Sequence, residues 1–125
     1  MKKKKGQLEA EISEAIITFE RESLGRGPEE TKTYIIDDMV LVRLRGVLTR
    51  AEKELARTVE RARGRDLIKQ VRIELLEKAR PLLEAIISDA TGRRVLSLHT
   101  DISTATGERL IVFVLEGHPL SMERG

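Results

Sequence analysis

The sequence contains no cysteine, no tryptophan and only three aromatic residues, Phe19, Tyr34 and Phe113. Without cysteine there is no disulfide framework, no thiolate metal site and no cysteine nucleophile. No apolar run approaches the roughly 18 residues that cross a bilayer as a helix. Lys2 to Lys5 resemble the start of a signal peptide, but an amphipathic, acidic segment follows instead of an apolar core. We therefore expect the protein to stay in the cytoplasm.

The composition is that of one folded domain. Of the 125 residues, 40% are hydrophobic and 35% are charged, yet the net charge is only +2. Apolar residues spread along the whole chain suffice for one core, and the like-charge excess of disordered chains is missing. We expect a basic disordered tail over 1–6, a single α+β domain over 7–117 and a frayed C-terminal tail over 118–125.

The charges are unevenly distributed along the chain. Residues 7–42 hold nine acids against three bases, residues 43–80 hold six acids against twelve bases, and residues 81–125 hold six acids against four bases. The middle segment is therefore the basic one, and it is the first candidate for contact with an acidic partner.

The first third of the chain predicts a helix followed by a hairpin. Apolar residues recur at helical spacing from Gln7 to Leu24 while glutamates occupy the opposite face. Gly25 favours a left-handed cap at the end of this helix. Thr31 to Asp37 and Met39 to Arg45 are rich in β-branched and apolar residues, which predicts two strands joined by a tight turn.

The middle of the chain predicts two helices. Thr49 and Glu52 have the spacing of a capping box, so a helix should begin there, and we expect it to end near Gly64. Apolar residues at three- and four-residue spacing predict a longer helix over 66–90. Pro81 lies inside this pattern and predicts a kink or a break.

The last third predicts a second hairpin. Arg94 to Ile102 and Arg109 to Glu116 are the strand candidates, and a polar loop joins them. The order α-β-β-α-α-β-β favours an α+β two-layer sandwich, with a four-stranded antiparallel sheet of two hairpins and helices on one face. Leu110 to Leu115 are apolar on both faces, so this strand is either central and covered on both sides or part of a subunit interface. A homodimer is therefore expected.

The densest polar cluster is His99, Asp101, Ser103 and Thr104 at this second hairpin. Strand alternation puts His99 and Asp101 on one face, where the carboxylate could orient the imidazole. The other interpretation is that Asp101 and the hydroxyls satisfy backbone groups of the turn. A nucleophile-and-base triad lacks its usual residues, so we expect no enzymatic activity and no catalytic residues.

Three aspartates suggest a possible cation site. Asp37 and Asp38 could join Asp101 as oxygen ligands if the tips of the two hairpins converged. In a turn, however, such aspartates commonly hydrogen-bond local N–H groups. The sequence lacks the glycine pattern of a dinucleotide site and the Gly-Lys-Ser/Thr of a phosphate loop, so we expect no cofactor and no resident metal.

A ladder of basic residues at four-residue spacing runs through segment 50–72, and it comprises Lys53, Arg57, Arg61, Arg65 and Lys69. An unbroken helix would make it one positive stripe, whereas a break at Gly64 would divide it. Three interpretations stay open: a solvated helix face, a contact with an acidic protein or the chain's own acidic segment, and a contact with nucleic acid or anionic lipid. The segment lacks aromatic residues on which bases could stack.

Three blocks of residues resemble a known family. They are Leu24 to Pro28, Tyr34 to Thr49 and His99 to Arg109, in this order. Together they resemble the small bacterial family labelled Na⁺-translocating membrane-potential-generating system MpsC, over roughly Gln7 to Leu115. This resemblance implies a cytoplasmic domain associated with a membrane system for ion or inorganic-carbon uptake and membrane potential, and it implies no settled catalytic residues.

The resemblance and the residues together give two functional hypotheses. The first is a non-enzymatic accessory domain, dimeric and cytoplasmic, that binds an integral membrane transport partner and so lies peripheral to the membrane. Its contact would be the basic helical segment or the polar hairpin loops. The alternative is a regulatory nucleic-acid-binding protein that uses segment 50–72.

Overall fold

The computed structural model describes residues 4–25, 27–57 and 61–120. Seven elements follow each other along the chain: α1 (Lys5–Leu24), β1 (Glu30–Ile36), β2 (Met39–Arg45), α2 (Arg50–Ala56), α3 (Arg61–Thr91), β3 (Val95–Ser103) and β4 (Glu108–Leu115). The α+β class and the predicted element order are confirmed, and each strand bound lies within one residue of its prediction.

The four strands form one antiparallel sheet in the order β1-β2-β4-β3. Alternation turns one set of side chains toward the helices, where they form the buried core: Ile35, Val40, Val42, Leu44, Leu98, Ile102, Ile111, Phe113 and Leu115. Helix α1 covers this inner face with its apolar stripe, Leu8, Ile12, Ile16 and Phe19. The opposite, outer face of the sheet has no helix against it in the described part of the chain. The predicted two-layer arrangement is thus confirmed.

Helix α1 begins earlier than the sequence predicts. It includes Lys5 and Gly6, which we had assigned to the tail, while residues 1–3 lie outside the described part. Its end matches the prediction, since Gly25 adopts φ 79° and donates its N–H to the carbonyl of Arg21 at 3.1 Å. At the other end of the chain Leu120 packs against the core, and residues 121–125 lie outside the description.

The predicted boundary between α2 and α3 is wrong. The capping box is present, because Thr49 Oγ1 accepts from the Glu52 N–H and Glu52 accepts from the Thr49 N–H. Helix α2 nevertheless ends at Ala56, and Gly64 lies inside α3. Tertiary contact explains this position, because Gly64 is buried where the backbone of Leu55 approaches α3.

Pro81 does not break α3, which is a single helix from Arg61 to Thr91. The proline ring lies on the exposed side, while Leu83 and Ile87 bury the next turns against the core. Packing of the apolar stripe outweighs the lost backbone hydrogen bond. Gly92, with φ 71°, follows the helix end.

Gly64→Ala is expected to destabilise the fold by about 1 to 2 kcal/mol. By helix propensity alone, alanine inside a helix should stabilise it by about 1 kcal/mol. The added Cβ, however, would lie 2.3 Å from the Leu55 carbonyl oxygen, so α2 and α3 must separate. Urea unfolding of Gly64→Ala and of the wild type measures the difference in their free energies of unfolding.

Gly6→Ala is the matched control, since nothing lies within 4 Å of a Cβ at that position of α1. This variant is expected to be neutral or stabilised. A Gly64→Ala protein as stable as the Gly6→Ala protein would contradict the close helix contact.

Candidate functional site

A cleft opens at the end of the sheet where the β3–β4 loop meets the segment between β2 and α2. The Val47 N–H donates to the Gly107 carbonyl at 3.1 Å and ties the two loops together. Gly107 adopts φ 74° and Gly46 adopts φ 69°, a region that glycine enters without strain. The turns therefore bring the loop tip over the start of α2.

The cleft has a volume of about 790 Å³ and a strongly basic lining. Four basic side chains and one acidic side chain line it: Arg45 from β2, Lys53 and Arg57 from the α2 region, Arg65 from α3, and Glu29. The remaining lining consists of the core residue Leu48 and of small or polar residues: Gly46, Thr104, Ala105, Thr106 and Gly107. We call this site the cationic cleft.

Two of the four cations are not neutralised. Arg45 contacts Glu30 at 3.4 Å and Glu108 at 3.7 Å, and Arg57 contacts Glu54 at 3.8 Å. Among residues 4–25, 27–57 and 61–120, no ion pair within 4 Å involves Lys53 or Arg65. The cleft therefore presents a positive potential to solvent, which favours an anionic ligand.

The basic ladder predicted from the sequence is not one stripe. Lys53, Arg57 and Arg65 come together in the cleft, although they belong to two separate helical segments. Lys69 points elsewhere, since its Nζ donates to Asp101 at 3.2 Å. The side chain of Arg61 lies outside the described residues.

The polar cluster of the second hairpin serves mainly to hold the loop. His99 and Asp101 share the outer face, but His99 contacts Ser97 Oγ at 3.2 Å and not the carboxylate. The pKa of Asp101 is held below its usual value by the Ile102 N–H and then by Lys69. Ser103 Oγ accepts from the Thr106 N–H, so the turn-satisfying interpretation is the one observed.

Thr104 is the one member of that cluster that lines the cationic cleft. Together with Arg65 it also borders a second depression of about 460 Å³ in which charges of both signs meet, including Asp66, Lys69 and Asp101. The hairpin loop and the basic helices therefore line one site. The sequence analysis treated them as two alternative contact surfaces.

The two hairpin tips do not converge, so the condition for a cation site shared by the three aspartates is not met. The Asp38 carbonyl accepts from the Leu115 N–H, at the end of β4 remote from the β3–β4 loop. Because β2 and β4 are antiparallel neighbours, the turn at Asp37 and Asp38 lies at the opposite end of the sheet from that loop. Within the described ranges no group of three or more His, Asp or Glu could hold a metal ion.

A charged network behind the cleft was missed by sequence reasoning. Arg72 of α3 donates to Glu52 from Nε at 3.0 Å and from Nη2 at 2.7 Å, and Nη2 also donates to the Val47 carbonyl at 2.9 Å. These bonds fasten α2, which carries Lys53, to α3, which carries Arg65. Nothing in the sequence distinguishes Arg72 from the other eleven bases of segment 43–80.

A second buried pair lies next to this network. Arg109 Nη1 of β4 contacts Glu20 Oε1 of α1 at 3.4 Å, and both residues are almost fully buried. Burial raises the pKa of Glu20, and the charges of Arg109 and Arg72 oppose that rise. Burial lowers the pKa of Arg109 in turn.

The fold and the site define a two-layer α+β domain with a cationic cleft at one sheet end. The chain belongs to the MpsC family, described as Na⁺-translocating membrane potential-generating system (MpsC), which matches residues 4–117. The resemblance identified from the sequence is thereby confirmed, and the family name links the chain to a membrane potential system.

Two relatives from Bacillus subtilis (strain 168) are similar to this chain. The uncharacterized protein YbcI is 47% identical over 115 residues, which cover 92% of this chain and 90% of YbcI. The uncharacterized protein YrhF is 27% identical over 108 residues, which cover 85% of each chain. No solved structure matches the chain. In the described residues, no helix combines the length and apolar character needed to span a membrane.

Proposed function

We propose that this protein is a non-enzymatic, cytoplasmic accessory domain of a membrane potential system, and that its cationic cleft docks an acidic segment of an integral membrane partner. One observation carries the proposal: Lys53 and Arg65, on different helices, face the same cleft without an ion-pair partner in the described residues. The family name supplies the membrane system.

An acidic protein segment suits the cleft for electrostatic reasons. Carboxylates entering the cleft replace water around cations that are already exposed, so the cost of desolvation is small. The positive potential also attracts the partner before contact, which raises the association rate. Binding of this kind weakens as salt screens the charges, over a length of about 8 Å at physiological ionic strength.

The nucleic-acid alternative depends on the same cations, because phosphates would also bind them. Non-specific binding of single strands normally adds aromatic side chains on which bases stack. Here Phe19 and Phe113 are buried, and Tyr34 is not among the residues that line the cleft. An acidic protein segment is therefore the better match.

The absence of enzymatic activity is part of the proposal. The chain has only two histidines, and His99 contacts Ser97 while His118 Nδ1 accepts from the Leu120 N–H. Neither of these arrangements orients an imidazole against a carboxylate, as in the catalytic triad of a hydrolase.

We further propose that the working form is a homodimer. The support is the outer face of the sheet, where large apolar side chains such as Tyr34 and Ile36 stay exposed. The cationic cleft is built within one copy, so docking at the cleft and dimer formation are separate properties.

Charge reversal at the cleft tests the docking function. Lys53→Glu/Arg65→Glu is expected to reduce recovery of an integral membrane partner by about 10-fold or more in pull-downs from gently solubilised membranes of the source organism, because repulsion replaces attraction. The matched control is Lys78→Glu/Arg94→Glu, which changes the net charge equally at exposed positions outside the cleft.

Equal recovery of the same membrane partner by both double variants would contradict docking at the cleft. Recovery of nuclease-sensitive material instead, lost in the cleft variant alone, would favour the nucleic-acid alternative. Thermal unfolding of each variant checks that the fold is retained.

A further inference from the structure

The outer face of the sheet carries an apolar patch formed by three adjacent strands. The strand register places Tyr34, Leu41 and Val112 side by side in one row. The next row toward the β1–β2 turn places Ile36, Met39 and Val114 side by side. All six side chains project from the face opposite the helices.

This face is unusual for an open antiparallel sheet. In such a sheet, the residues on the solvated face are normally polar. Here Tyr34 is 38% exposed and Ile36 is 45% exposed, while Leu110, which borders the depression shared with Lys69 of α3, is 39% exposed. A contiguous apolar face of this kind marks an interaction surface.

The charges beside the patch favour a second copy of the chain as its occupant. The rows toward the cleft hold three bases, Lys32, Arg43 and Arg45, and three acids, Glu30, Asp101 and Glu108. Most of these charges are paired within the chain, since Arg43 and Arg45 contact Glu108 and Asp101 contacts Lys69. A face without net charge does not repel a second copy of itself. It also lacks the excess of one charge that would attract a strongly charged partner.

The size of the face suits a small dimer. Strands about 4.8 Å apart, with a rise of about 3.3 Å per residue, give a four-stranded face of about 20 Å by 23 Å. Its flat projection is roughly 450 Å², and corrugation by side chains raises the accessible area toward the about 800 Å² that each partner buries in a specific interface. Two such faces pack with an apolar centre and a charged rim.

We infer that two copies of this chain associate through the outer faces of their sheets, with Tyr34, Leu41 and Val112 at the centre of a two-fold interface. This inference rests on the homodimer proposed above and names its surface. A two-fold axis through the patch places the same side chains against each other from both copies, and the charged rows remain at the wet rim.

Within the described residues, another exposed apolar stripe lies on α3 and is formed by Leu67, Val71, Leu75 and Leu82. The stripe lies on the helical layer, away from the outer face of the sheet, so a substitution there is a matched control. Val71 is 53% exposed and has the size of Val112. Val71→Lys and Val112→Lys therefore make the same substitution, one on an exposed helix face and the other on the half-buried outer face of a central strand.

Light scattering coupled to size-exclusion chromatography tests the inference. The wild type and Val71→Lys are expected to be dimers at about 100 µM, while Leu41→Lys and Val112→Lys are expected to be monomers because each dimer would bury two unpaired lysines. The dimer dissociation constant should rise about 100-fold or more. Ile36→Lys, near the turn, gives a third variant whose position strains the sheet least.

Circular dichroism verifies that each lysine variant is folded. A monomeric wild type, or a dimer that Val71→Lys dissociates and Leu41→Lys, Val112→Lys and Ile36→Lys leave intact, would overturn the inference. The cleft variant Lys53→Glu/Arg65→Glu is expected to stay dimeric in the same measurement. The two proposals can therefore fail independently. Failure of docking at the cleft changes the recovery of the membrane partner, and failure of the dimer surface changes the molar mass in solution.

Discussion

Arg109→Met is expected to destabilise the protein by about 3 to 5 kcal/mol, because it leaves the Glu20 carboxylate buried without its partner. Glu20 is 3% exposed and Arg109 is 6% exposed, so water cannot replace the lost contact. The pair joins α1 to β4 across the core. Urea unfolding at neutral pH measures the loss.

The double variant Glu20→Leu/Arg109→Met is the control for this prediction. Replacing both charges by apolar groups of similar volume removes the desolvation cost, so most of the stability should return. Equal stability of the Arg109→Met protein and the double variant would contradict the burial of an unpaired Glu20 carboxylate as the cause of the loss, and Glu20→Leu alone completes the double-mutant cycle.

The cost of Arg109→Met should also depend on pH. Burial already raises the pKa of Glu20 in the folded protein, and removal of Arg109 takes away the first opposing charge. A carboxyl whose folded pKa is raised binds its proton more tightly in the folded state, so stability rises as pH falls from the raised pKa toward the unfolded value of about 4.5. The variant should therefore be least destabilised in mild acid.

The second large effect is expected for Arg72→Ala, which should lower the free energy of unfolding by about 3 kcal/mol. The guanidinium holds both carboxylate oxygens of Glu52 and the Val47 carbonyl, and it is nine-tenths buried. Its removal takes away the hydrogen bonds that join α2 to α3 and leaves the Val47 carbonyl without this donor. Chemical denaturation measures the loss, and pull-down should show weaker partner recovery because Lys53 and Arg65 are no longer held together.

Arg80→Ala is the control on the same helix. Arg80 contacts Glu77 and Glu84 at partly exposed positions of α3, and helix-surface pairs of this kind contribute about 0.5 kcal/mol or less each. If Arg80→Ala cost as much as Arg72→Ala, the special position of Arg72 between the two helices would be refuted.

The contact between Arg72 and Glu52 gives the wild type an acid sensitivity that should be smaller in the Arg72→Ala variant, which keeps only the hydrogen bonds of Thr49 to Glu52. Burial acts to raise the pKa of Glu52, but hydrogen bonds from Arg72 and the Thr49 N–H outweigh it and lower the pKa. A lowered folded pKa means that this stabilisation is present above the unfolded value of about 4.5 and is lost as pH falls through the folded value. Urea unfolding at several pH values across this acidic window measures how strongly the free energy of unfolding of the wild type and of Arg72→Ala depends on pH.

Local signals account for the parts of the fold that were predicted correctly. The apolar stripe of α1, the capping box at Thr49 and the positive-φ glycines act over a few residues, so the sequence around each one suffices to identify it. The alternation of Val40, Val42 and Leu44 identified the buried face of β2 for the same reason.

The sequence left a question open, or gave the wrong answer, where a distant contact decides the outcome. Gly64 disfavours a helix by its intrinsic propensity, yet α3 continues through it. The backbone of Leu55 lies so close to this position that a larger side chain would not fit. Asp37 and Asp101 lie near hairpin ends in the sequence, but the β2–β4 pairing separates those ends by the length of the sheet.

The sequence by itself determined the element types, the α+β class, the family and the basic character of segment 43–80, because periodicity, caps and charge counts are local properties of the chain. Only the tertiary structure decided that Lys53 and Arg65 share one cleft, that Glu20 meets Arg109, and that the apolar side of β4 stays uncovered. Each of these depends on which distant residues become neighbours. That choice follows from the packing of the whole core and the pairing of strands, which no single segment encodes.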